Sequence, residues 1–188
     1  MNNRYLFRGK HKDNGERVYG NLIQRKIWSS ELYVIRVEDN GFDSYVEYEV
    51  IPETVCQCTG MKDRNGKTIF EGDIVKYITW DNFLCTSIVK FGEYRQDGSD
   101  GEYGAATCLG FYVDLIKTVK IDLDEYENRN TITEYKTLKL DDDFTTYDDF
   151  NPEWFGDYRN QVSILSIILG CEVIGNIHDD SELLEVGK

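Results

Sequence analysis

The sequence predicts a mainly β protein, built as small antiparallel barrels or rolls with a variable acidic insertion and little helix. Ile and Val total 29 residues and Tyr, Phe and Trp total 25, side chains that fit a pleated, half-buried surface. The best helix former is nearly missing, with alanine only at Ala105 and Ala106. Asn-Gly pairs, which accept the positive φ of tight hairpin turns, recur at Asn14-Gly15, Asn40-Gly41 and Asn65-Gly66.

The elements follow in order. Asn14-Gly15 joins a strand at Tyr5–Gly9 to one at Arg17–Gln24, and Asn40-Gly41 joins Tyr33–Val37 to Tyr45–Ile51. In the last of these Val46, Tyr48 and Val50 alternate with Tyr45, Glu47 and Glu49, so one set faces a core and the carboxylates face water. Pro52-Glu53-Thr54 ends that strand in a helical turn, and Val55–Met61 resumes an extended path. Asn65-Gly66 turns the chain into Thr68–Phe70. The tight turn Glu71-Gly72-Asp73 then opens an apolar strand at about Ile74–Trp80, paired with about Thr86–Phe91. Such a turn commonly opens an SH3-like barrel, with Gly72 taking positive φ and Asp73 bonding free turn N–H groups. Leu109–Ile116, Val119–Leu123 and Thr131–Leu140 read as further strands, and Asp141–Pro152 as a loop. Val162–Ile177 is core-like, either two buried strands or a short helix leading into a strand. Asp179–Leu184 reads as a closing helical turn, and no internal repeat is visible.

The resulting organisation has three parts: an N-terminal β-hairpin unit over 1–60, an SH3-like unit from 61–95 with 161–188, and an acidic variable insertion over 96–160. Ile, Val, Leu and Phe make up 51 of 188 residues, enough apolar matter to bury a core.

The net charge is −14. A phosphate binder needs a basic face, so direct nucleic-acid binding is disfavoured, as is an anionic membrane surface. Residues 122–157 hold twelve carboxylates against Arg129, Lys136 and Lys139. No signal peptide or bilayer-spanning run is read, and five cysteines without framework spacing suit a reducing, cytoplasmic setting.

No catalytic, cofactor or metal site is expected. His11 and His178 stand outside any motif and read as solvated. Cys56 and Cys58 share a strand face without a second ligand pair, so they read as small buried side chains. The glycine-rich stretch 98–104 carries acids where a phosphate loop needs cations. The aspartate runs at 122–125 and 141–143 lack the glycine and closing glutamate of a calcium loop. Tyr147, Phe150, Trp154, Phe155 and Tyr158, interleaved with acids, form the candidate interaction surface, since buried rings with carboxylates at the rim suit docking. Gly60, Asn65, Gly66, Gly72 and Asp73 are the structural turn residues.

Two blocks carry a family resemblance: Thr59–Val75 (TGMKDRNGKTIFEGDIV) and Glu172–Leu184 (EVIGNIHDDSELL). With the opening Tyr5-Leu6-Phe7-Arg8-Gly9-Lys10 they resemble the YopX family of phage and prophage proteins. The resemblance implies an SH3-like β-roll in a phage setting, with no established activity and no functional residue to carry over. The expected function is an accessory protein that acts by protein–protein contact as a homo-oligomer, its partner a further copy or a host or phage protein. The alternative is an acidic mimic of nucleic acid that inhibits a host DNA-binding protein.

Overall fold

A computed structural model describes residues 5–38, 44–78, 83–96, 106–120, 161–167 and 170–185. The expected strand at Thr131–Leu140 and loop at Asp141–Pro152 lie outside them.

The chain forms two units, each with its own antiparallel sheet. The first comprises residues 1–61 and 68–71. Its strands are β1 (Leu6–Lys10), β2 (Arg17–Ile27), β3 (Ser30–Glu38), β4 (Tyr45–Glu49), β5 (Cys56–Lys62) and β6 (Thr68–Phe70), in the order β4-β3-β2-β1-β5-β6. A 3-10 turn at Pro52–Thr54 separates β4 from β5, and proline at its start lacks only an N–H that would have had no partner there. An isolated bridge between His11 and Val50 links the ends of β1 and β4, with Lys12 N donating to Glu49 O at 3.0 Å and Ile51 N to Lys10 O at 2.9 Å. Val34, Ile35, Val50, Ile69 and Phe70 are buried. Cys56 and Cys58 lie two apart on β5 and pack with Phe70 and Leu6 as small apolar side chains. Arg8 is buried, its guanidinium 4.7 Å from the Phe70 ring centroid and donating to Glu71 O at 3.2 Å.

The second unit comprises residues 62–67 and 72–188. Its strands are β7 (Asp73–Ile78), β8 (Phe83–Gln96), β9 (Ala106–Lys120), β10 (Gln161–Ser163) and β11 (Glu172–Asn176), in the order β10-β9-β8-β7-β11. One turn of α-helix, Ile164–Ile167, separates β10 from β11. Val162–Ile177 is therefore strand, helical turn and strand in succession. Ile74, Val75, Tyr77, Val89, Val113, Ile164, Cys171 and Val173 are buried. Strand β7 lies between β8 and β11, and its first three residues, Asp73, Ile74 and Val75, are all buried.

The two units repeat one topology. In each, four strands follow one another across the sheet, a single helical turn follows the fourth, and the fifth strand returns to pair beside the first. Each sheet has two ends, β4 and β6 in one, β10 and β11 in the other, so the strand orders describe two antiparallel sheets and no closed barrel among the described residues. Strand β9 pairs with β8 from Phe83↔Lys120 to Gln96↔Ala106, with a bulge at Thr86/Ser87. Residues 106–120, grouped with the insertion on sequence, thus form an inner strand, and the interval from β9 to β10 is 121–160.

Residues 62–67 belong to the second unit because Asp63 ties them to β11. Its Oδ1 accepts from Asn65 N at 2.9 Å and Lys67 N at 2.8 Å. Its Oδ2 accepts from Val173 N at 3.0 Å, and Arg64 N donates to Cys171 O at 3.0 Å. Gly60, Gly66 and Gly72 take φ of 78°, 81° and 75°, a region that L side chains resist. Asp73 is buried and its Oδ1 accepts from Asn176 Nδ2 at 3.3 Å. Asn176 also accepts at Oδ1 from His178 N at 3.0 Å and donates its own N–H to Asp180 Oδ2 at 2.8 Å, closing the turn after β11.

Cys171 lies beside this loop, fully buried. Burial, with the Asp63 carboxylate adding to it, pushes its thiol from an ordinary 9 up to about 11. Burial likewise raises the Tyr77 phenol, with Cys85 adding and the Ser87 hydrogen bond opposing. Both groups keep their protons longer in the fold than in the unfolded chain. The Cys171 contribution is whole below about pH 9 and is lost as pH rises through about 11. Urea midpoints are expected to fall across that window, with a shallower fall in Cys171→Ser, which has no thiol to ionise. Identical pH profiles for the two proteins would contradict this assignment.

Candidate interaction site

Among the described residues, no group of three His, Cys, Asp or Glu side chains is placed to hold a metal ion. No helix among them is long and apolar enough to cross a membrane. His11 sets its ring edge-on to Tyr48 at 5.6 Å and accepts from Asp13 N at 3.2 Å. His178 is half-buried beside Asn176. Tyr147, Phe150, Trp154, Phe155 and Tyr158 lie outside the described residues. Asn65 and Gly66 lie in the turn between β5 and β6 and Gly72 in the turn before β7, whereas Gly60 lies within β5 and Asp73 is the first residue of β7.

Two exposed apolar surfaces were not singled out from the sequence. The first is the β2–β3 hairpin of the first unit. Its ladder runs to Ile27↔Ser30, leaving Trp28 and Ser29 as the turn. Trp28 is 95% exposed and holds φ at 56°, the sole positive φ of a non-glycine residue among those described. A bulky side chain in that region is strained. Trp28→Gly removes the strain and forfeits almost no burial, so it is expected to stabilise the chain by about 1 kcal/mol. A lower urea midpoint in the variant would show that the tryptophan packs. An exposed tryptophan held at a cost in stability fits an anchor for a partner. Nearby charges are largely matched: Glu47 accepts from Arg25 at 2.7 Å and from Arg36 at 2.8 Å, which together hold its carboxyl below the usual range. Arg36 also lies 3.8 Å from the Tyr45 ring centroid.

The second surface lies on β8 and β9. Alternation sends Phe91, Glu93 and Arg95 to one face of β8 and Thr107, Leu109 and Phe111 to the same face of β9. Leu109 is 73% exposed and Phe91 48%, and the Phe91 and Phe111 rings meet edge-on at 5.0 Å. On the opposite face Tyr94 and Tyr112 are buried and stacked at 5.3 Å. Lys90 pairs with Asp114 further along the ribbon. The alternation was legible in Phe91–Arg95; which of its faces stays uncovered depends on strands distant in sequence.

The family model described as YopX protein matches residues 6–120. The match contains Thr59–Val75 and ends before Glu172–Leu184, whose first five residues form β11 against β7. No curated protein matches the chain.

Proposed function

This chain belongs to the YopX family, and on that premise we propose that it is a phage- or prophage-encoded accessory protein acting by protein–protein contact as a homo-oligomer in the bacterial cytoplasm. The observation that carries the reading is the apolar face formed by exposed Phe91 and Leu109 with half-buried Phe111 on a regular sheet, since contiguous exposed apolar surface on a folded domain marks an interaction site. Exposed Trp28 supports it, and cysteines that form no disulfide among the described residues suit the reducing compartment. We also infer that both units are SH3-like rolls. Supporting this are the shared order of four consecutive strands, helical turn and returning fifth strand, and the bridge that draws β4 towards β1. The acidic insertion then sits in the connection between the third and fourth strands of the second roll.

Light scattering of the intact chain tests the function. A packing interface depends weakly on salt, so the expected mass is at least twice 21.9 kDa at both low and high salt. A single-chain mass in both would overturn the homo-oligomer. The acidic-mimic reading draws on the net charge of −14 and the concentration of carboxylates in 122–157. It requires salt-steep binding to basic DNA-binding proteins and displacement by DNA, so competition with duplex DNA separates the two readings.

A further inference from the structure

We propose that the outer edge of β9 pairs with the same edge of a second copy of this chain, across a two-fold axis at Leu109; the inference rests on the homo-oligomer reading and names its surface. The parity of the ladder shows which groups are open. Gly72 N donates to Val89 O, so the polar backbone of Val89 faces away from β9. Such a residue sits in a non-hydrogen-bonded pair, and its partner Val113 likewise faces away from β8, towards Val162 of β10. Every second residue repeats this, so Phe111, Leu109 and Thr107 turn their N–H and C=O groups to the outer edge of β9. Strand β10 covers that edge only as far as Tyr112, because the chain leaves in a helical turn at Ile164. Beyond it, Phe111, Leu109 and Thr107 have no ladder partner on this side among the described residues.

The composition of the edge indicates the occupant. Open strand edges are ordinarily guarded by lysine, proline or an inward charge. Ala106–Val113 has no charged residue and no proline, and Leu109 is exposed. Two copies of a chain with net charge −14 repel each other, and an uncharged edge lets them meet without setting carboxylate against carboxylate. A nucleic acid or an anionic lipid surface would require cations here. An isologous contact requires self-complementarity, which the outward residues supply in one register. With the axis at Leu109, each Leu109 faces its own copy, and Thr107 faces Phe111 of the partner subunit. Every open N–H of the set then meets an open C=O. An axis at Cys108 leaves Phe111 outside the set, and an axis at Gly110 leaves Thr107 outside it. The side chains agree with this register, since Phe91, Leu109 and Phe111 share one face and form one apolar surface through the axis.

Sedimentation velocity on the full chain, with disulfide trapping under a mild oxidant, provides the test. Leu109→Pro removes an outward N–H and none that pairs with β8, so the chain should fold and the dimer weaken about tenfold or more. A circular-dichroism melt shows that the variant is folded. In a Cys108→Ser background, Leu109→Cys should give a covalent dimer. Facing Cα atoms of a hydrogen-bonded pair lie about 5.5 Å apart, within reach of a disulfide. Thr107→Cys in the same background should stay unlinked, because its two thiols lie four residues apart along the ladder, about 14 Å. Gly110→Cys should link to Cys108 of the partner subunit, and nothing lies within 4 Å of its added Cβ to obstruct it. The cysteine variants remain informative if Leu109→Pro misfolds. A wild-type dimer in which Leu109→Cys stays unlinked, or in which Thr107→Cys links as readily, would overturn this interface and leave the homo-oligomer standing. A wild-type chain monomeric at every concentration would overturn both.

Discussion

Replacing Asp63 with alanine is expected to cost about 3–5 kcal/mol, because one carboxylate accepts three backbone N–H groups. Two of them form the Asn65-Gly66 turn. The third, from Val173, comes from a strand 110 residues away. Hydrogen bonds to a charged acceptor contribute roughly 1.5–3 kcal/mol each, and a buried N–H left without a partner costs about 1–3 kcal/mol. Asp63 is 6% exposed, so water cannot readily replace the carboxylate. The loss is a large part of an ordinary domain's stability of about 5–15 kcal/mol. Asp63→Asn keeps one carbonyl oxygen and should lose about half as much. Urea unfolding measures the totals, and amide exchange at Val173 reports the specific bond. Unchanged Val173 protection in Asp63→Ala would remove Asp63 from this role.

Gly20→Ala is the second large effect, expected at about 3 kcal/mol. A Cβ on Gly20 would lie 2.1 Å from Arg36 O and 2.9 Å from Arg36 C. Both are backbone atoms of β3, which is held between β2 and β4, so no side chain can swing aside to make room. Gly66 makes the contrast: its φ is +81°, yet nothing lies within 4 Å of an added Cβ. Gly66→Ala therefore meets only conformational strain, about 1 kcal/mol. Thermal melts of the two variants give the order. A greater loss in Gly66→Ala would mean that β2 and β3 separate more easily than their ladder implies.

Local chemistry was readable where a residue type has one use. Glu71-Gly72-Asp73 opens β7, and β7 pairs with β8 through Ile74↔Ile88 to Ile78↔Leu84, because a glycine-tolerant turn before a branched run leaves few alternatives. The Asn14-Gly15 hairpin joins β1 to β2 for the same reason. The Trp28-Ser29 turn left no such mark, since it lacks the Asn, Asp or Gly that readily takes the positive φ Trp28 holds. Residues 161–167 were ambiguous because a short apolar run suits strand and helix alike, and contacts made elsewhere in the fold decide. The repeat of topology was invisible for another reason. It resides in backbone pairing, β5 returning to β1 and β11 to β7. The Phe91, Leu109 and Phe111 surface combines the two cases: periodicity marks the face, but only the ends of β7 and β10 show that it stays open.

Hydrogen exchange on the intact chain, at concentrations well below and well above its association midpoint, tests most directly the claim that this protein works by contact between copies. Association through the open ribbon should slow exchange across residues 90–96 and 106–111, where β8 and β9 have only each other among the described strands, and should leave the β7–β11 ladder as it was. Exchange independent of concentration along the entire chain would contradict it.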